Sequence, residues 1–162
     1  MTTQSSISED PTMSTMSEEN ERPPEYHTVP PRRAVIECIR TPNAPMPPSG
    51  SSQAFKVNGT IYVAAQTPTL PNGRNVPGQT AAVERIFLNI EAILKAAGSS
   101  WERVIKTTVY FREDLRWKYK FEAHYQRVLP FAPPRTNVIV QRMEAKGVNS
   151  AVEIQMEVVA VE

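Results

Sequence analysis

The chain has 162 residues, of which 40% are hydrophobic and 22% charged, enough for one domain with an ordinary core. A single cysteine, Cys38, excludes a disulfide framework, and a net charge of +1 gives no reason to expect nucleic acid or membrane partners. No apolar run approaches the roughly 20 residues that span a bilayer; with neither a secretory nor an Arg-rich mitochondrial leader pattern, the cytoplasm is expected by elimination.

Residues 1–31 read as a solvated tail, and residues 32–162 as the folded domain. Acidic residues dominate the first thirty positions, with Glu9, Asp10, Glu18, Glu19, Glu21 and Glu25 against Arg22 alone. Ser, Thr and Pro are the commonest of the other residues there, and apolar side chains are too sparse to offset the entropy of ordering. The rest of the chain, with 17 bases against 11 acids, carries a mild positive field that attracts anionic metabolites. A first strand is expected over Ala34–Ile39. Four prolines between Thr41 and Gly50 then enforce a loop. Ala54–Val57 and Thr60–Ala65 flank Asn58-Gly59, a strong hairpin signal. Leu70–Gly78 is a loop punctuated by Pro71, Gly73 and Pro77.

Val83, Ile86, Phe87, Ile90, Ile93, Leu94 and Ala97 recur at helical spacing, so a helix is expected from Thr80 through Ala97. Thr80 is its expected cap, Glu84 falls in its first turn, and Gly98 suits the left-handed position after its end. Val104–Phe111 is β-rich. Asp114 is the expected cap of a second helix from Leu115 to about Leu129, with Leu115, Phe121, Tyr125 and Val128 inward. Thr136–Arg142 and Val152–Val161 complete six strands. In the last one, the even positions Val152 to Ala160 alternate with Glu153, Gln155 and Glu157. This order predicts an α/β (α+β) fold with one mixed six-stranded sheet and two helices packed on one face. The other face then needs a cover, and a second copy of the chain is the simplest one.

Several segments resemble, in the right order, those of the Rid/YjgF (reactive intermediate deaminase) family. They are Asn43-Ala-Pro45, Ile61 to Gln66, Gln79-Thr80, Asn89-Ile90, Ala96 to Gly98, Val104 to Phe111, Pro134-Arg135-Thr136 and Glu153 to Ala160. The resemblance implies a chorismate-mutase-like fold assembled as a homotrimeric barrel with clefts between subunits. It also implies hydrolysis of reactive imines or enamines on a small carboxylated metabolite, without metal or organic cofactor. Some relatives have been described as ribonucleases or translation inhibitors. Basic residues here are dispersed rather than striped, which gives that reading little support.

On this resemblance, Arg135 is the substrate clamp: its planar donor fork matches a carboxylate bidentately. Outside such a role, it would form a structural ion pair with a strand glutamate. The proton-handling carboxylate has two possible registers, one placing Glu153 and the other Gln155 at the family's catalytic glutamate. Glutamine cannot take a proton at neutral pH, so the second register leaves a held water to handle protons. Ser51 stands where the family has a cleft tyrosine, Ala65 where it has a glycine, and Asn137 where a cysteine sometimes occurs. All three are expected to line the substrate cleft. Tyr110, Phe111, Trp117 and Tyr125 read as core or interface aromatics, and His124 as a helix-surface residue. No His or Cys cluster has metal-ligand spacing. A non-catalytic small-molecule-binding trimer is the alternative function.

Overall fold

The computed structural model describes residues 34–112, 116–141, 143 and 153–162. The tail expected over 1–31, the Asp114 cap, Leu115 and Val152 lie outside them, as does the side chain of Trp117. Six strands form one sheet: β1 (Ile36–Ile39), β2 (Ala54–Val57), β3 (Thr60–Gln66), β4 (Val104–Arg112), β5 (Arg135–Val140) and β6 (Ile154–Val161). Their order is β1-β2-β3-β6-β4-β5. The last strand in sequence is therefore near the middle of the sheet, where its alternating pattern serves two faces. β2 and β3 meet at Asn58 (φ 50°) and Gly59 (φ 79°), the left-handed pair that a tight hairpin requires. Among the described strands only β4 and β5 run parallel, joined through helix α2 (Arg116–Val128) as a parallel crossover demands.

Helix α1 (Gln79–Ala96) packs on β3 and β6 and contacts α2. Its buried stripe, Val83, Ile86, Phe87, Ile90, Ile93 and Leu94, is the one the periodicity indicates. The start differs from expectation. Gly78, at φ 85°, takes the cap position with no side-chain cap, so Thr80 is already inside the helix and Glu84 lies beyond its first turn. Proline at 77 and a left-handed glycine at 78 turn the chain directly into the helix, so no side-chain oxygen is placed to cap it. At the other end Gly98 has φ 80°, as expected. Phe121 of α2 is fully buried and meets Phe111 edge-on at 5.5 Å and Phe87 at 5.8 Å. Both helices thus cover one face of the sheet. On β6, Ile154, Met156, Val158 and Ala160 enter that core.

The opposite face is open. A row of Cα partners crosses it from Cys38 through Phe55, Tyr62 and Val159 to Lys106. Phe55 is 44% exposed and Tyr62 53%. His124 departs from its expected surface position: it is half-buried, with its ring 4.5 Å from that of Phe87.

Candidate functional site

Two cavities, one on each side of the sheet, take in four of the expected site residues: Ser51, Ala65 and Gln155 line the first and Arg135 the second. The first, of 280 Å³, is walled by the proline-rich loop (Pro45 to Pro48), Ser51, Ser52, the end of β3 (Ala64 to Gln66), the loop Thr67 to Asn75, and Gln155. Its shape follows from a β-bulge. Val63 pairs with Val158 but Gln66 with Met156, so β3 carries an extra residue opposite β6. Ala64 and Ala65, at the bulge, line the cavity together with Gln155, and such irregularities commonly re-aim side chains beside binding sites.

Buried amides fix the walls. Gln53 is 1% exposed; its Nε2 donates to the carbonyls of Thr41, Ala44 and Pro45, and its Oε1 accepts from the Thr41 N–H at 2.7 Å. One side chain thereby supplies the partners that a proline-rich loop cannot supply to itself. Asn89 of α1 donates to the carbonyls of Thr67 and Thr69 at 3.1 and 2.8 Å. Its Oδ1 is buried and has no partner among the described residues. Thr67 and Thr69 share a 2.8 Å hydroxyl contact, and Thr69 donates to Asn75 at 2.7 Å. The described lining is therefore uncharged.

Of the two registers for the family's glutamate, Gln155 is the residue on the cavity wall. Glu153 lies beside the end of β4, where Arg112 Nη2 donates to it at 2.7 Å. Glu157, further along the same face, accepts from the Tyr110 hydroxyl at 3.4 Å. Burial, followed by the charge of Glu157, pushes that phenol above its ordinary range.

The second cavity, of 540 Å³, is lined by Arg135 together with Glu122, Tyr125, Gln126, Leu129, Pro130 and Pro133. Arg135 is not paired with a strand glutamate. Its Nη1 and Nη2 donate to the two carboxylate oxygens of Glu122 on α2, at 3.0 and 2.8 Å. The difference arises because Arg135 opens an edge strand whose neighbour in register is Thr107, on the helix-covered side. From there the side chain reaches α2 and not β6. Its Cζ sits 4.5 Å from the centre of the Tyr125 ring, and Tyr125 shares a 2.9 Å buried contact with the Thr107 hydroxyl. Asn137 pairs with Val109, shares that face, and is exposed at the edge.

The structure thus brings Ser51, Ala65 and Gln155 together and sets Arg135 and Asn137 apart from them, across the sheet and on a strand two places from β6 and three from β3. Sequence reasoning missed Gln53 and Glu122, and it took Asn89 only as part of a resembling segment and not as a wall residue. For Gln53 and Glu122 nothing in the local pattern gave a signal; Asn89, a polar residue amid the apolar stripe of α1, was a visible irregularity. Among the described residues, no group of His, Cys, Asp and Glu could hold a metal ion, and no helix is long and apolar enough to cross a membrane.

Comparison with known proteins agrees with this architecture. Residues 41–162 match the family model described as Endoribonuclease L-PSP. A RutC family protein of Aquifex aeolicus is 33% identical over 126 residues, covering 76% of this chain and 97% of its own. The mitochondrial protein Mmf1 of Saccharomyces cerevisiae is 31% identical over 135 residues, covering 81% and 89%. The crystal structure of yeast Mmf1 superposes with a TM-score of 0.73 at 29% identity over 79% of this chain and 99% of that one. RidA from an Antarctic Psychrobacter gives 0.70 at 28% over 78% and 99%. The mixed sheet, the two helices on one face and this breadth of matching lead to one assignment: the chain belongs to the Rid/YjgF family.

Proposed function

We propose that the chain hydrolyses a reactive imine or enamine on a small carboxylated metabolite, in a cleft completed by a second copy of itself. The observation that carries this reading is the separation of the half-sites. One protomer offers an uncharged polar cavity at Gln155 on the open face and a guanidinium at its β5 edge, and neither suffices alone. A homotrimer that covers the open face would set the Arg135 edge of one subunit against the Gln155 cavity of the next. Arg135 then fixes the carboxylate, and the imine carbon lies over the neutral wall, where Ser51 and the Gln155 amide hold the attacking water. Positioning supplies most of the acceleration, since no carboxylate among the described residues of that wall handles protons.

The test generates 2-iminopropionate in the assay and follows its loss. Wild type exceeds background. Arg135→Ala falls toward it by on the order of 100-fold, the scale of a lost charge-assisted pair. Gln155→Glu, which installs a general base, raises the rate by about 100-fold or more. Equal rates for wild type and Arg135→Ala would sink the enzymatic reading for this substrate. The uncharged cavity wall favours one second reading, a non-catalytic trimer that binds such metabolites. That reading predicts binding that needs Arg135 alongside background turnover in both wild type and Gln155→Glu. The cytoplasm is the compartment we propose, and a tagged chain found in another fraction would refute it.

A further inference from the structure

We propose that Glu122 is a positioning residue for the carboxylate clamp. It grips the Arg135 guanidinium by its terminal fork and thereby presents the other fork to the ligand. This inference rests on the proposed clamp role of Arg135.

A guanidinium offers two ways to hold a carboxylate: through both terminal nitrogens, or through the Nε edge and the adjacent Nη. Glu122 uses the first, with near-equal bonds of 3.0 and 2.8 Å. The Nε edge is the geometry left for a second carboxylate. The Tyr125 ring lies under the guanidinium, 4.5 Å from Cζ, and closes off that side of it. The ring itself is held by the 2.9 Å contact between its hydroxyl and buried Thr107. The backbone is anchored at the same point, where the Thr107 N–H donates to the Pro134 carbonyl at 3.0 Å. β4, α2 and β5 therefore converge on one side chain.

A surface ion pair of this kind contributes little to stability. Yet both partners are about three-quarters covered, at 24% and 25% exposure, and both line a cavity. An arginine already confined loses less rotamer freedom when it binds a ligand. Glu122 also cancels the guanidinium charge, so the clamp selects a planar carboxylate by shape more than by charge. A compact dianion such as phosphate gains less from it.

The test measures calorimetric binding of pyruvate and of inorganic phosphate to the full chain. Wild type is compared with Glu122→Gln, Tyr125→Phe and Arg135→Ala, with assembly mass and circular dichroism as controls for folding. Glu122→Gln keeps the size of the side chain and removes its charge. Pyruvate affinity is expected to fall about tenfold in this variant, a change near 1.4 kcal/mol, while phosphate affinity holds or rises. Tyr125→Phe keeps the ring and loses the Thr107 contact; its pyruvate affinity should fall about threefold. A further variant, Glu122→Asp, keeps the charge but withdraws it from the terminal fork; a comparable fall is expected there, wild-type affinity overturns the positioning role, and this variant decides the matter if Glu122→Gln does not fold. Pyruvate binding to Glu122→Gln as tight as wild type, or tighter, overturns the positioning role and marks Glu122 as a competitor for the clamp or a bystander. Unchanged pyruvate affinity in Arg135→Ala, or no pyruvate binding by wild type, overturns the clamp itself.

Discussion

Alternate residues of β6 meet two different environments. Ile154, Met156, Val158 and Ala160 are buried against the helices, while Gln155, Glu157 and Val159 stand half-exposed on the other face. The helix-covered face is finished within one protomer: Phe121, Ile86, Ile90 and Ile93 have no accessible surface. The open face carries Phe55 and Tyr62 at about half exposure, beside Lys106 and the Tyr110–Glu157 pair. One face stores stability and the other is open, and the two candidate half-sites lie on opposite sides of the sheet, the Gln155 cavity on the open face and the Arg135 cavity at the β5 edge of the covered one. The lesson is that a single strand, by period-two alternation, gives a chain both a packed core and a second face that the protomer leaves open.

The largest expected effect falls on the finished face. Phe121→Ala removes the ring that joins Phe111, Phe87 and Tyr125 and leaves a cavity between α2 and β4. It should cost about 3–5 kcal/mol in urea unfolding. A loss below about 1 kcal/mol would mean that this face is less completely packed than its burial indicates.

Much of this division was legible in the sequence. The 3/4 spacing of α1, the hairpin at Asn58-Gly59 and the alternation of β6 each have one local cause, and the structure agrees with all three. The sequence singled out Arg135 as a candidate clamp, but not the carboxylate it meets in the structure. Which carboxylate meets a guanidinium depends on the face to which an edge strand turns it, and that is set by pairing with β4. Gln155 against Glu153 could not be decided from sequence because a shift of two residues preserves the face. The bulge at Ala64 and Ala65, together with the pairing of Glu153 and Arg112, separates them in space. The Thr80 cap failed because Pro77-Gly78 already supplied the turn.

The open face gives the next effect, in assembly more than in folding. Tyr62→Glu places a charge beside Phe55 and Val159, where a second copy would have to bury it. Light scattering should show wild type at three times the chain mass and the variant at one, with the fold stability changed by less than about 0.5 kcal/mol. A variant that stays at the wild-type mass would show that the open face is not where copies meet.

The smallest effect sits at the border of the finished face, where His124 packs on Phe87 and Arg127 Nη2 lies 2.8 Å from its Nδ1. Burial, followed by the charge of Arg127, holds its pKa below the ordinary 6.5, with Glu84 opposing. Above 6.5 both folded and unfolded chains carry a neutral imidazole, and the group contributes nothing to the pH dependence. As pH falls below that value the unfolded chain takes up the proton first, so stability is lost progressively as pH descends through the depressed folded value. A melting temperature that falls between pH 7 and pH 5, with a shallower fall in His124→Phe, is the expected outcome. Phenylalanine keeps a ring against Phe87 and cannot titrate. Parallel curves for the two proteins would place the acid sensitivity elsewhere, and would show that His124 is packed against the core without being linked to its stability.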